Sequence, residues 1–171
     1  ETLEFPPGVA PTNLGAANYE STSYPDFFDW QRQNQTFASL ASYNVNYRLF
    51  AKKDGSHADV VTGGRVSANL FSTLGVHPAL GRDFTPEEEL PGHRVVILSH
   101  ELWVSDFNSS KDVIGDTVRI SDVPYTIIGV MPAGFHYSTL KPGMYWSTYS
   151  IDTEGPFHLT AERDSAGLEI V

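Results

Sequence analysis

"GRVSANLFSTLGVHPALGRDF", residues 64–84, is the stretch whose reading decides the fold. It holds a serine that could act as a nucleophile, a histidine beside a proline, and two glycine-arginine pairs. Each also has a structural reading. The side chain of Ser67 can accept a backbone N–H two or three residues on, as a helix N-cap does. Leu70, Phe71 and Leu74 then share one face of a short helix. Gly75 follows where a left-handed residue ends a helix, Val76 can close the hydrophobic contact of that motif, and Pro78 stops the helix from resuming. "ALGRDF" adds a turn at Gly81 and buries Phe84, and in "TPEEE" Thr85 caps a new start with Pro86 at its first position. Glu87, Glu88 and Glu89 then occupy the first turn, where the helix dipole favours them, and read as a solvated helix start.

Outward from this stretch, the spacing predicts a helix over "SYPDFFDWQRQNQTFASLASY" (23–43), with Phe27, Trp30, Phe37 and Leu40 on a core face. "YNVNYRLFA" and "HADVVTGGRVS" flank "KKDGS" as a hairpin turning at Asp54-Gly55. "HRVVILS" reads as a buried strand, and "SHELWVSDF" as a short helix burying Leu102, Trp103 and Phe107. A second hairpin sets Val118 and Ile120 against Tyr125 and Ile127, with Ser121 to Pro124 as the turn. "MYWSTYS" is one more strand, and residues 1–21 are irregular.

The 171 residues are enough for one domain or two small lobes with a core of their own. With 21 acidic and 11 basic residues the formal charge is -10, which disfavours nucleic acid and anionic lipid as partners. Cysteine is absent, so disulfides, thiolate metal sites and a cysteine nucleophile are excluded. No apolar run reaches the length of a membrane span, and the opening "ETLEFPPGVAPTNLG" reads as a linker entered mid-sequence.

Chemical readings find little support. Ser99-His100-Glu101 invites a hydrolase, but adjacent residues at a helix start do not point at one another, and Ser99 suits an N-cap. His100-Glu101 begins a zinc motif whose second histidine is replaced by Val104, and the six histidines show no ligand spacing. "DFTPEEE" lacks the calcium-loop pattern. Asp26, Asp29 and Glu101 as glycosidase carboxylates rest on composition alone. "NQT" and "NSS" match the glycosylation pattern, and the tyrosines fit strand packing better than a binding groove. Catalytic, cofactor and metal residues are therefore expected to be none. A non-catalytic alternative is a free-standing ligand-binding module using the tyrosines and tryptophans, which predicts a deep apolar pocket.

"SYPDFFDW", "VSANLFSTLGVHPALGRDFTPEEE", "RVVILSHELW", "IGDTVRI" and "PYTIIGVMPAGF" come in the order seen in the periplasmic core domain of MacB-like ABC transporter permeases, relatives of FtsX-type permeases. The resemblance runs from Ser23 to Phe135. It implies an α+β fold: a porter-like α/β lobe of residues 22–66 and 140–171, with a smaller, mostly β lobe of residues 67–139 inserted. It also implies a non-catalytic extracytoplasmic domain with no cofactor in this segment. The partners would be the membrane-spanning part of the same permease, a cytoplasmic ATPase acting through it, and a periplasmic adaptor. The chain itself has no G-x-x-x-x-G-K-[ST] motif. In such a module the residues of interest are structural joints: Ser67, Gly75, Gly81, Arg82, Gly129 and Pro132.

Overall fold

The computed structural model describes residues 24–52, 55, 58–135, 144–148 and 169–170. In chain order these form α1 (Tyr24–Gln33), β1 (Ser42–Lys52), β2 (Ala58–Val66), α2 (Leu70–Leu74), β3 (Leu80–Gly81) and a 3-10 helix (Pro86–Glu89). Then follow β4 (Val95–Leu98), α3 (His100–Phe107), a second 3-10 helix (Lys111–Val113), β5 (Thr117–Ile120), β6 (Val123–Val130), β7 (Met144–Thr148) and β8 (Glu169–Ile170). Helices and a multistranded sheet together make the α+β class expected.

The strands run in the order β2-β7-β4-β6-β5-β1, and β1 pairs back to β2, so the sheet closes into a ring. The β2–β7 and β4–β6 pairs are parallel, and the other four are antiparallel. β3 pairs with β6 and β8 with the start of β1. Closure satisfies strand edges that would otherwise recruit another chain.

Alternation along the strands fills both sides of the ring. Val96 and Leu98 of β4 join Phe50, Val118, Ile120, Tyr125, Ile127, Val130 and Tyr145 in one cluster, with Leu102 of α3 and Val113 beside them. Every strand of the ring except β2 sends a buried side chain there, and β2 adds the partly buried Val61, so this cluster is the interior. Ile97 points the other way, with Tyr43, Val66, Ile128, Met144 and Trp146, against Leu70 and Phe71 of α2 and Phe84. β4 and β7 are thus buried on both faces, which is why "VVIL" and "MYW" read as unbroken apolar runs. Phe71 is fully buried and meets Trp146 edge-on at 5.6 Å and Phe84 face-on at 6.0 Å. Burying one such side chain contributes about 1.5–3 kcal/mol.

The expected helix over 23–43 stops at Gln33. Asn34 ends it by offering the backbone another set of bonds: its Oδ1 accepts the N–H groups of Thr36 at 3.0 Å and Phe37 at 2.8 Å, and its Nδ2 donates to the Phe37 carbonyl at 2.7 Å. Residues 42 onward belong to the hairpin instead. Of the expected core face only Phe27 is buried, whereas Trp30 and Phe37 are 48% and 66% exposed and Leu40 is half-buried.

Both hairpins form. The second turns more tightly than expected, since Ile120 already faces Val123. The turn is Ser121-Asp122, with φ of 48° and 67°, and Pro124 lies within β6. Trp103 and Phe107 are half-buried rather than buried. Among the described residues the boundary expected at 66/67 is not a break in the sheet. β1 and β2, assigned to one lobe, share the ring with β4, β5 and β6, assigned to the other. The expected irregular segment 1–21 lies outside the described residues, as does the tail from Ile151 apart from β8.

Candidate functional site

The residues singled out in 64–84 converge on the short 3-10 helix 86–89, which straps three segments together. Its start is set by sequence. Thr85 is extended (φ -110°, ψ 155°), Pro86 takes the first position, and the Glu88 carboxylate turns back to accept the Thr85 N–H at 2.9 Å. The same carboxylate takes both ends of the Arg82 guanidinium, Nη1 at 3.0 Å and Nη2 at 2.6 Å. Glu88 is only 5% exposed, and a buried carboxylate needs this fork of charge-assisted bonds. The bond to Glu88 holds the Arg82 guanidinium above its ordinary range. The Glu88 carbonyl accepts the Thr148 hydroxyl at 2.7 Å, tying the strap to the end of β7. Glu89 accepts the Ala68 N–H at 2.5 Å, tying it to the junction of β2 and α2. The reading of 87–89 as a solvated helix start is thus corrected: only Glu87 behaves so, because tertiary contacts bury Glu88 and half-bury Glu89.

Arg82 reaches Glu88 because β3 is pinned. Ala79 and Arg82 donate to the carbonyls of Val130 and Ile128 at 2.8 and 3.0 Å, and Gly81 lies opposite Gly129. Gly81 has φ +79°, and a Cβ there would sit 2.1 Å from the Ile128 carbonyl oxygen. A Cβ on Gly129 would sit 2.8 Å from the Arg82 carbonyl oxygen. The two backbones therefore touch where any larger residue would push them apart. Pro132 lies just beyond β6, where its carbonyl accepts the Phe135 N–H at 3.2 Å. Gly81, Arg82 and Gly129 are thus brought together, with Pro132 at the exit of the same strand.

Gly75 has the expected left-handed conformation, φ 69° and ψ 25°, and Val76 donates to the Phe71 carbonyl at 3.0 Å while packing on the core. Ser67 does not cap α2 with its side chain. The cap position is Asn69, and the Ser67 hydroxyl instead accepts the buried Ser42 N–H at 2.9 Å, while its backbone N–H donates to the Ser42 carbonyl. The hairpin end outcompetes the helix for that oxygen because the Ser42 N–H is fully buried and has to be satisfied. Glu88, Glu89 and Thr148 are the residues that sequence reasoning missed. The spacing of Thr85 and Glu88 matches a capping box and was the available signal for the first.

Ser99 is used structurally. Its hydroxyl accepts two buried N–H groups, from Leu102 and Met144, each at 3.1 Å. His100 packs its ring against Trp103, centroids 5.5 Å apart. Among the described residues, no three potential metal ligands gather, and no helix is long and apolar enough to cross a membrane.

A closed ring of strands with a polar strap over one side defines an α+β domain whose conspicuous polar groups hold backbone segments to one another. The chain belongs to the MacB-like periplasmic core domain family, whose profile matches residues 4–158. That family is the periplasmic domain of MacB-like ABC transporter permeases. The chain is 22% identical over 162 residues to the macrolide export ATP-binding/permease protein MacB of Salmonella paratyphi A, and equally to that of Salmonella typhi. The match covers 95% of this chain and 24% of those relatives, so the chain spans about a quarter of their length. In fold it is similar to the extracellular domain of the ABC-type transporter YknZ from Gram-positive bacteria (TM-score 0.62, 16% identity, 82% of this chain and 68% of that one). It is also similar to the periplasmic region of MacB from Actinobacillus actinomycetemcomitans (TM-score 0.57, 15% identity, 75% of this chain and 62% of that one).

Proposed function

We propose that this domain is a mechanical relay of a MacB-like ABC transporter permease, held outside the membrane and without reaction chemistry of its own. Its partners are the membrane-spanning part of the same permease, a cytoplasmic ATPase acting through it, and a periplasmic adaptor. The observation that carries the reading is the strap. Arg82, Glu88, Glu89 and Thr148 are all engaged in joining β3, β7 and the β2–α2 junction. A displacement entering at Pro132 passes along β6 to Gly129, across to Gly81, and through Arg82 and Glu88 to the ends of β2 and β7. Packed interiors transmit strain in this way because they deform little.

The chain has no cysteine, so one introduced at exposed Val104 on α3 carries the only spin label within this domain. In the full-length permease reconstituted with its ATPase, the distance from this label to a second label in the membrane-spanning part should change on adding ATP. Arg82→Ala should shrink that change while ATP hydrolysis continues. A distance indifferent to ATP in the otherwise unmodified permease would overturn the relay, as would a parent gene without apolar spans flanking this domain.

A further inference from the structure

The interior of the ring gathers arginine at one end. Phe50 of β1 points inward, so alternation puts Asn44 and Arg48 on the same face of that strand. Arg65 of β2 stands opposite Asn44 and level with Ser147 of β7, and its neighbour Val66 belongs to the outer cluster, so Arg65 faces inward too. Arg94 lies immediately before β4, two residues ahead of the inward-facing Val96, and its carbonyl accepts the Thr126 N–H at 2.9 Å, which extends the β4–β6 ladder onto it. All three side chains are half-buried. In a chain of net charge -10 they make a local reversal of sign. Asp59 shares the face but lies beyond Arg48, opposite Phe50, and is exposed.

Tyr145 joins them. Its phenol folds over Gly63, where a Cβ would sit 2.3 Å from the hydroxyl oxygen. Gly63 lies on β2 between Arg65 and Val61, the residue opposite Arg48, so the hydroxyl is set between the two arginines. Burial pushes the phenol's ionisation up and Tyr125 adds to this, while Arg48 and Arg65 both pull it back, as close neighbours do. Tyr145 is only 3% exposed, yet its hydroxyl has no hydrogen-bond partner among the described residues. The Arg94 Nε is likewise buried without one. Arg48 and Arg65 are engaged elsewhere as well, but a guanidinium has more donors than one partner uses. Buried donors left unpaired are costly unless a ligand meets them.

We propose that this end of the ring binds a small oxyanion, a carboxylate or a phosphate group, held by the guanidinium groups of Arg48, Arg65 and Arg94 and by the hydroxyl of Tyr145. Forked guanidinium donors suit both groups, and a phenol donates to either. The net charge of the chain keeps extended polyanions away. The site goes beyond the relay reading and does not depend on it.

NMR titration of this chain with inorganic phosphate and, separately, with acetate tests it, at an ionic strength held constant with chloride. The Nε–H signals of Arg48, Arg65 and Arg94 and the amide of Gly63 should shift and saturate together, while the exposed Arg32 and Arg119 stay unmoved. Saturation by phosphate alone assigns a phosphate group, by acetate alone a carboxylate, and by both an oxyanion of either kind. Tyr145→Phe keeps the ring and loses the donor, and should weaken binding about tenfold, as should Arg94→Gln. Arg119→Gln should leave the affinity unchanged. Saturation by neither probe overturns the proposal, and so does an affinity that neither Tyr145→Phe nor Arg94→Gln alters. If those variants fail to fold, the arginine signals of the unmodified chain decide.

Discussion

Gly75 and Gly81 share a left-handed backbone but differ in surroundings, and the difference makes a quantitative test. Nothing lies within 4 Å of a Cβ built on Gly75. Gly75→Ala should therefore cost only the conformational strain, about 1 kcal/mol. Gly81→Ala adds a collision with the Ile128 carbonyl and should cost more, about 3 kcal/mol, read from denaturant midpoints. Equal losses would show that β3 yields freely. Ser99→Ala leaves the N–H groups of Leu102 and Met144 without an acceptor in a buried setting, a loss of about 1–3 kcal/mol in the same measurement. Gly75 was legible in the sequence because a helix end is a local event, complete within "STLGVHP". Gly81 and Gly129 were singled out as joints, but not as partners, because their mutual contact arises where two segments far apart in the chain meet.

The strap shows the same limit at the scale of an element. "TPEE" announces its own start, yet nothing in these four residues tells that Glu88 will be buried under Arg82 and Thr148. A double-mutant cycle of Arg82→Met, Glu88→Gln and the two combined isolates the pair. Arg82→Met alone leaves the buried Glu88 carboxylate without its cation, whereas Arg82→Met with Glu88→Gln removes the charge as well. The single variant should lose about 2 kcal/mol, below the usual range for a broken buried pair because the Arg82 side chain is 52% exposed, and the double variant should lose less. Additive losses in urea titrations would show that the two charges do not act together. Helix α1 illustrates the converse. Its apolar spacing continues past residue 33, but Asn34 bonds Thr36 and Phe37 and the hairpin claims residues 42 onward. Periodicity alone could not weigh that competition.

For the whole molecule the deciding feature is closure. Each hairpin was visible in the sequence as alternation on either side of a turn, and the buried strand at 95–98 as a short apolar run. Closure was not, because β2–β7 and β4–β7 join segments far apart in the chain, and no local pattern marks which strands will meet. A ring in which each strand is bonded on both sides should open as one cooperative unit, since releasing any strand exposes the interior cluster around Phe50, Val96 and Tyr145. Native-state hydrogen exchange should therefore find the amides of β2, β4 and β6 opening with a common free energy. Gly81→Ala should lower that value equally for all of them. The outward-facing turns of α1, which carry exposed Trp30 and Arg32, should exchange faster and be insensitive to the substitution. If β1, β2 and β7 instead opened at their own lower free energy while β4, β5 and β6 kept their protection, residues 22–66 with 140–171 and residues 67–139 would be separate cooperative lobes despite the shared sheet. The relay path would then have to cross a compliant joint at the end of β2 rather than a rigid ring.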